Sequence, residues 1–350
     1  MRKKRGLEKK ESAKWKNLGW LFAVTILLGS LILPPLGLAE EWPTKTITII
    51  CGSAAGAFTD TSSRAIANEM SKIFGVPVLV TNVPGGGGGI AADNTFRAPN
   101  DGYTWTSQGA MMRTFGVMGL HSAGPKDWYC LPTVGYFGAI SVLEDSPYKT
   151  LTDLVEALKK NPGRITFASS QPSTAWRINM EILQKATGLR ARYVPFPGSA
   201  PSQVALLSRD VEFILTGLGE QAELLKGKRI RSLAVFHDKP ANLEGYGEIP
   251  PVTKFLPELK SSLPFPAWAS ISTRADVPKP ILRKFDEALL KAEQSSAVRE
   301  WCEKFISFPM GVAGDEAQKM FLHQASVESW LLYEVGVAKR NPAEFGIPKP

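Results

Sequence analysis

The chain has 350 residues, 44% of them hydrophobic, with 41 Lys and Arg against 33 Asp and Glu, a formal net charge of +8. Eight of those basic residues and two of the acids lie in the first sixteen positions, so the remainder is nearly neutral, formally +2. That distribution argues against a nucleic-acid surface, which needs a basic patch persisting in the folded domain, and the length suits one large or two modest domains.

In chain order, the basic start is followed by an uncharged stretch from Asn17 to Ala39, with an apolar run from Leu18 to Leu33, Pro34-Pro35, and Gly37-Leu38-Ala39. A basic region, an apolar core and small residues before the cut predict a secretory signal over 1–39, cleaved after Ala39. The competing reading is an uncleaved anchor, because about 20 apolar residues span a bilayer.

Ile47 to Cys51 is an apolar run of strand length, and Ala54-Ala55-Gly56-Ala57-Phe58-Thr59-Asp60 is too small in side chains to continue it. Ile66, Met70 and Ile73 then recur on one helix face, with Thr59 and Asp60 in the N-cap position. Val76 to Asn82 reads as a second strand and Ala91 to Arg97 as a second helix. The run Pro84-Gly85-Gly86-Gly87-Gly88-Gly89 lies between them. Both loops bring backbone N–H groups together at a helix start, where anions bind. Neither ends in Gly-Lys-Ser/Thr, and no acid follows at the distance of a dinucleotide fingerprint, so nucleotide binding is not expected.

A third strand, Tyr103 to Thr106, ends in Ser107-Gln108-Gly109, polar residues at the end of a strand where open α/β sheets hold ligands. Met111 to Pro132 reads as a loop with a short helix, and Val134 to Leu143 as a strand crossing to a second domain. That domain begins with a helix from Thr150-x-x-Asp153, a capping box, stopped by Asn161-Pro162-Gly163. Strands at 165–168, 191–194, 211–215 and 230–236 alternate with helices at 176–187, 202–207 and 220–226, which argues for βαβ units and a mainly parallel sheet. A proline-rich return from His237 to Pro266 leads to a strand at Trp268 to Ser272 and three further helices. The expected organisation is a first lobe of residues 40–142 plus 267–350 and a second of 143–266.

Catalytic and metal constellations are weak. His121, His237 and His323 lack helical metal spacing, no Cys-x-x-Cys exists, and no Gly-x-Ser-x-Gly elbow stands between strand and helix. No enzyme activity, metal or cofactor is expected. Cys51, Cys130 and Cys302 allow at most one disulfide, with Cys130 to Cys302 the less implausible pair.

Pro43-Thr44-Lys45-Thr46-Ile47, Ala54-Ala55-Gly56 with Asp60 and Arg64, Pro77 through Gly85, and Pro99-Asn100-Asp101-Gly102-Tyr103-Thr104 together resemble the extracytoplasmic solute-binding subunits of tripartite tricarboxylate transporters, the Bug family. Val194 through Ala200, Arg231 through Val235, and Pro278-Lys279-Pro280-Ile281 continue the resemblance in order to about Trp330. It implies a two-lobed α/β protein of the type II periplasmic binding kind, each lobe a mainly parallel sheet flanked by helices. Such a protein is a periplasmic monomer that captures a small organic carboxylate for the transporter's membrane subunits, or senses it for a receptor. It also implies a ligand set: Ala55, Gly56, Ala57, Phe58, Thr59 and Asp60 on the first loop, and Ser107 and Gln108 beside it. Ser170, Ser173, Thr174, Gly198, Ser199 and Thr216 would close from the second lobe.

The second lobe departs from the family pattern. Ser169 through Arg177 replaces a glycine-rich serine loop followed by histidine, Phe196-Pro197-Gly198 replaces Tyr-Lys-Gly, Thr216 stands where an aspartate is usual, and Ala57 replaces a glycine of the first loop. Losing one acid and gaining Trp176 and Arg177 favour a larger or more anionic ligand, with core packing the competing role for Trp176.

Overall fold

The structure, a computed structural model, describes residues 42–170, 174–196, 198–262 and 267–350. The expected signal therefore lies outside the described residues, and so does Ser173. Among the described residues no helix is long and apolar enough to cross a membrane.

The first sheet is built on β1 (Ile47–Cys51), whose alternate residues Ile47, Ile49 and Cys51 are fully buried. β1 lies parallel to both β2 (Val78–Asn82) and β3 (Thr104–Gln108). Helix α1 (Phe58–Phe74) joins β1 to β2, and α2 (Gly89–Arg97) joins β2 to β3. The buried face of α1 runs through Ser62, Ser63, Ile66, Ala67 and Met70, whereas Ile73, expected in the stripe, is 39% exposed. Small polar residues occupy that face because both serine hydroxyls donate to the Thr59 carbonyl, so their burial leaves no lost hydrogen bond.

The loop expected over 111–132 is shorter than its composition suggested. β4 starts at Trp128 and runs to Tyr136, and the single strand expected from Val134 is interrupted at Phe137, after which β5 (Gly138–Leu143) belongs to the other sheet. The crossing at Phe137 puts β5 in the second sheet.

The second sheet combines β5 with β6 (Thr166–Ser169), β7 (Arg192–Pro195), β8 (Phe213–Gly217) and β9 (Ile230–Val235), in the order β7-β6-β8-β5-β9. Helix α3 (Leu151–Lys160) has the expected capping box: the Thr150 hydroxyl accepts from the Asp153 N–H at 3.3 Å and the Asp153 carboxylate from the Thr150 N–H at 2.8 Å. Helices α4 (Ala175–Thr187), α5 (Ser199–Leu207) and α6 (Leu218–Lys226) follow β6, β7 and β8. The proline-rich return holds a small hairpin of β10 (Ala241–Leu243) and β11 (Gly247–Ile249).

β12 (Ala267–Arg274) returns to the first sheet, between β3 and β4, and is followed by α7 (Lys279–Glu293), α8 (Ser296–Lys304), β13 (Ser307–Pro309) and α9 (Gly314–Glu334). The first sheet reads β13-β4-β12-β3-β1-β2. Both sheets are mixed rather than mainly parallel: βαβ crossovers make one side parallel, and the strands that enter from or return to the other lobe pair antiparallel. Helix α9 packs on both sides of the crossing, with Phe321 in the core beneath the first sheet and Leu331 and Leu332 in the core with Leu154 and Leu183. A buried ion pair, Arg113 Nε to Glu328 at 2.8 Å, ties α9 to the segment after β3. Cys51, Cys130 and Cys302 are all free and buried, so Cys130 and Cys302 do not pair.

Candidate ligand-binding site

The ends of β1, β4 and β8 and the starts of α1, α4 and α6 surround two adjoining cavities. One, of about 460 Å³, is walled from the first sheet's side by Gly56, Ala57, Phe58 and Thr59 and from the second's by Gly217, Leu218, Gly219 and Glu220; Tyr136, Phe137, Trp176 and Phe305 complete it. The other, of about 680 Å³, is lined by Gly52, Ser53, Ala54, the Pro84–Gly88 loop, Gln108, Gly109, Met111, Thr174 and Ala175, and it shares Thr59, Tyr136 and Trp176 with the first. No Lys or Arg is among the described residues lining either cavity.

The first loop is positioned by backbone geometry. Helix α1 is capped by Ala57, with no side-chain bond, and Thr59 and Asp60 are the second and third residues of its first turn rather than the cap. The sequence misplaced the cap because Asp60 reaches backward. Its carboxylate accepts from the Gly56 N–H at 2.8 Å, from Asn82 Nδ2 at 2.8 Å and from Arg64 Nε at 3.0 Å. Burial by itself would raise the Asp60 pKa; the bonds from Asn82 and Gly56 and the charge of Arg64 outweigh it and hold the carboxyl below its ordinary value. Gly56 has φ +83°, a left-handed conformation that a side chain resists, and open space lies beside it. The amides of Phe58 and Thr59 belong to the first helical turn, where no carbonyl inside the helix can pair with them.

The glycine run is shaped rather than merely small. Gly85 through Gly88 all have positive φ, and the Gln108 side chain donates to the Gly88 carbonyl at 3.1 Å while also bonding Thr106 Oγ1 at 2.9 Å. Gln108 is thus in the cavity wall and braces the loop.

Of the residues expected to bind, Gly56, Ala57, Phe58, Thr59, Gln108 and Thr174 line the cavities. Ala55 does not, and Asp60 is spent on the loop's own scaffold. Ser107 is fully buried against Ser63. The Ser170 hydroxyl donates to Thr174 Oγ1 at 3.2 Å, behind the wall. Gly198 caps α5, and Thr216 Oγ1 is buried, accepting from Gln221 Nε2 at 3.0 Å. Ser199 lines neither cavity and bonds the Glu220 carboxylate. Arg177, expected to favour an anionic ligand, lies outside both cavities: it pairs with Glu181 and stacks on Tyr193 at 4.2 Å.

Sequence reading missed the aromatic wall and Glu220. Tyr136 sits 4.4 Å from the Phe58 ring and 5.3 Å from the Trp176 ring, and Trp301 lies 5.3 Å from Phe58 and stacks on Phe305 at 4.5 Å. Trp176 is 5% exposed and belongs to the core, yet its edge walls both cavities; it fits against the sheet because Gly138 and Gly217 present no side chain to it. Gly217-Leu218-Gly219-Glu220, directly after a strand, was a readable turn-to-helix signal. Glu220 is the third residue of α6, its carboxylate accepting from the N–H of the capping Gly217 at 2.8 Å. Glu220 is exposed to solvent; nearby protein raises its pKa, against the lowering effect of Ser199 and Gly217.

The sequence profile of the tripartite tricarboxylate transporter family receptor matches residues 62–335. A protein of Cupriavidus necator encoded in the gbd 5' region is 28% identical over 324 residues, covering 91% of this chain and 95% of the relative. Protein BugT of Bordetella pertussis is 27% identical over 271 residues, 75% of this chain and 80% of BugT. Among solved structures, the periplasmic binding protein BugD superposes with TM-score 0.68 at 21% identity, covering 85% of this chain and 100% of BugD. MatC from Rhodopseudomonas palustris, solved with bound malate, gives 0.67 at 19% identity, covering 83% of this chain and 100% of MatC. A further R. palustris protein, solved with adipate, gives 0.69 at 20% identity over 85% of this chain and 99% of that one.

Proposed function

Because the chain belongs to the tripartite tricarboxylate transporter family of receptors, we propose that it captures one small organic carboxylate in the cleft and presents it to the membrane subunits of such a transporter. The observation that carries this reading is a single cavity whose walls are the opening turn of α1 and the opening turn of α6, contributed by different sheets. The amides of Phe58 and Thr59 at the start of α1 receive the carboxylate, favoured by the helix dipole, so no side-chain cation is needed. The aromatic wall holds the ligand's apolar stem, and Thr174 and Gln108 offer hydrogen bonds from the adjoining cavity. Malate and adipate in structurally similar proteins support a ligand of this size and class.

The two lobes turn about Phe137 and the return into β12, with residues 45–137 and 267–350 forming the first and 138–262 the second. The protein acts as a periplasmic monomer, exported by a signal over 1–39. Calorimetric titration with a panel of organic acids tests the function: one ligand bound per chain and recovered unaltered is expected, and turnover of the bound compound would overturn the reading. Intact mass of the exported protein tests the signal, with a mature chain starting at Glu40 expected and retention of Met1 counting against it.

A further inference from the structure

Among its described lining residues the cavity carries one acidic side chain, Glu220, and no basic one. Glu220 already occupies the start of α6, bonded to the Gly217 N–H at 2.8 Å, the place that a second ligand carboxylate would need. A diacid reaching across from α1 would bring its far carboxylate against Glu220, and like charges at close range in a crowded cleft repel. Around the same space stand the rings of Phe58, Tyr136, Trp176 and Phe305. Aromatic rings beside a carboxylate form a site for a cationic nitrogen, attracted by ring quadrupole and charge together.

We propose that this chain selects a small zwitterion, a ligand with one carboxylate at the start of α1 and a cationic nitrogen held between Glu220 and the aromatic wall, and that it discriminates against dicarboxylates of the same length. The inference rests on the carboxylate-capture reading and deepens it. A bound cation would favour the ionised Glu220 carboxylate over its neutral form. Ser199, through its bond to Glu220, is a positioning residue for this end of the site.

The test is titration calorimetry at pH 7 with matched pairs that exchange one carboxylate for an ammonium: glutarate against 4-aminobutanoate, adipate against 5-aminopentanoate, and succinate against 3-aminopropanoate. In the wild-type protein at least one amino acid is expected to bind tenfold or more tightly than its diacid partner. Glu220→Gln, which keeps the capping residue at its helix position, is expected to remove that preference. Diacids binding as tightly as or more tightly than their partners, or a preference unchanged in Glu220→Gln, would overturn the inference while leaving carboxylate capture standing. No binding by any of the six at millimolar concentration would overturn both. The wild-type comparison decides the question even if the variant fails to fold.

Discussion

At the scale of single residues, the first loop shows how polar groups fix a backbone. Gly56 is held at φ +83° by its own N–H donating to Asp60, so the glycine and the acid depend on each other. Gly56→Ala is expected to lower stability by about 1–2 kcal/mol through left-handed strain alone, since open space surrounds the added methyl. Chemical denaturation measures the loss, and ligand titration should show weakened binding as the loop shifts. Glu293 supplies a pH signature. It is 2% exposed, one oxygen accepts from the Gly311 N–H at 2.8 Å, the other has no partner, and burial pushes its pKa up to about 8. A carboxyl whose folded pKa exceeds its unfolded value favours folding while protonated, so its contribution is complete below about pH 4.5 and is lost as pH rises toward 8. Asp286, raised to about 6 by burial near Tyr129, adds to the lower part of that window. These two carboxyls therefore lower stability between roughly pH 4.5 and 8, while His121 and His237, whose pKa values burial lowers, act in the opposite direction. Glu293→Gln is expected to remove the Glu293 share, so that stability relative to wild type rises with pH across the window, and a difference between the two proteins that does not change with pH would contradict the assignment.

At the scale of elements, helix α4 serves both core and cleft. Its second residue, Trp176, packs against β5 and β8 where Gly138 and Gly217 make room, and it meets Tyr136 edge to face. Trp176→Ala is expected to destabilise the protein by about 3–5 kcal/mol, as for other buried large-to-small changes, and to merge the two cavities into one opening. Trp176→Phe should recover part of the stability and less of the affinity. Denaturant unfolding together with ligand titration on the two variants checks both. Equal affinity in wild type and Trp176→Ala would show that this helix start does not wall the ligand site.

At the scale of the molecule, the two sheets share α9, which contributes Phe321 to one core and Leu331 and Leu332 to the other. A rotation of the lobes, as proposed, would pivot near the crossing at Phe137 and would be resisted by the packing of α9. Saturation with a bound acid is expected to raise stability by about 2.7 kcal/mol at a hundredfold excess over Kd, read as a higher melting temperature. A smaller radius of gyration in solution scattering should accompany it. A stability gain without any compaction would place the ligand in a cleft that does not close.

The elements themselves were legible in the sequence, because strand and helix periods are local: the β1-loop-α1 opening, the Thr150 capping box and the alternation of strand and helix after it all stand where the pattern put them. The glycine loops, small and set between strand and helix, also announced a cleft wall. Partnership was not legible. Asp60 at N3 rather than the cap, Ser107 buried against Ser63, Arg177 spent on Glu181 and Tyr193, and Glu220 facing the cavity all depend on which distant segments the sheets bring together. The antiparallel halves of both sheets were hidden for the same reason, since the chain's crossing and return, not any local pattern, decide which strands become neighbours. Local periodicity thus determined what the segments are, whereas which side chains face the cavity was decided only by packing between residues far apart in the chain.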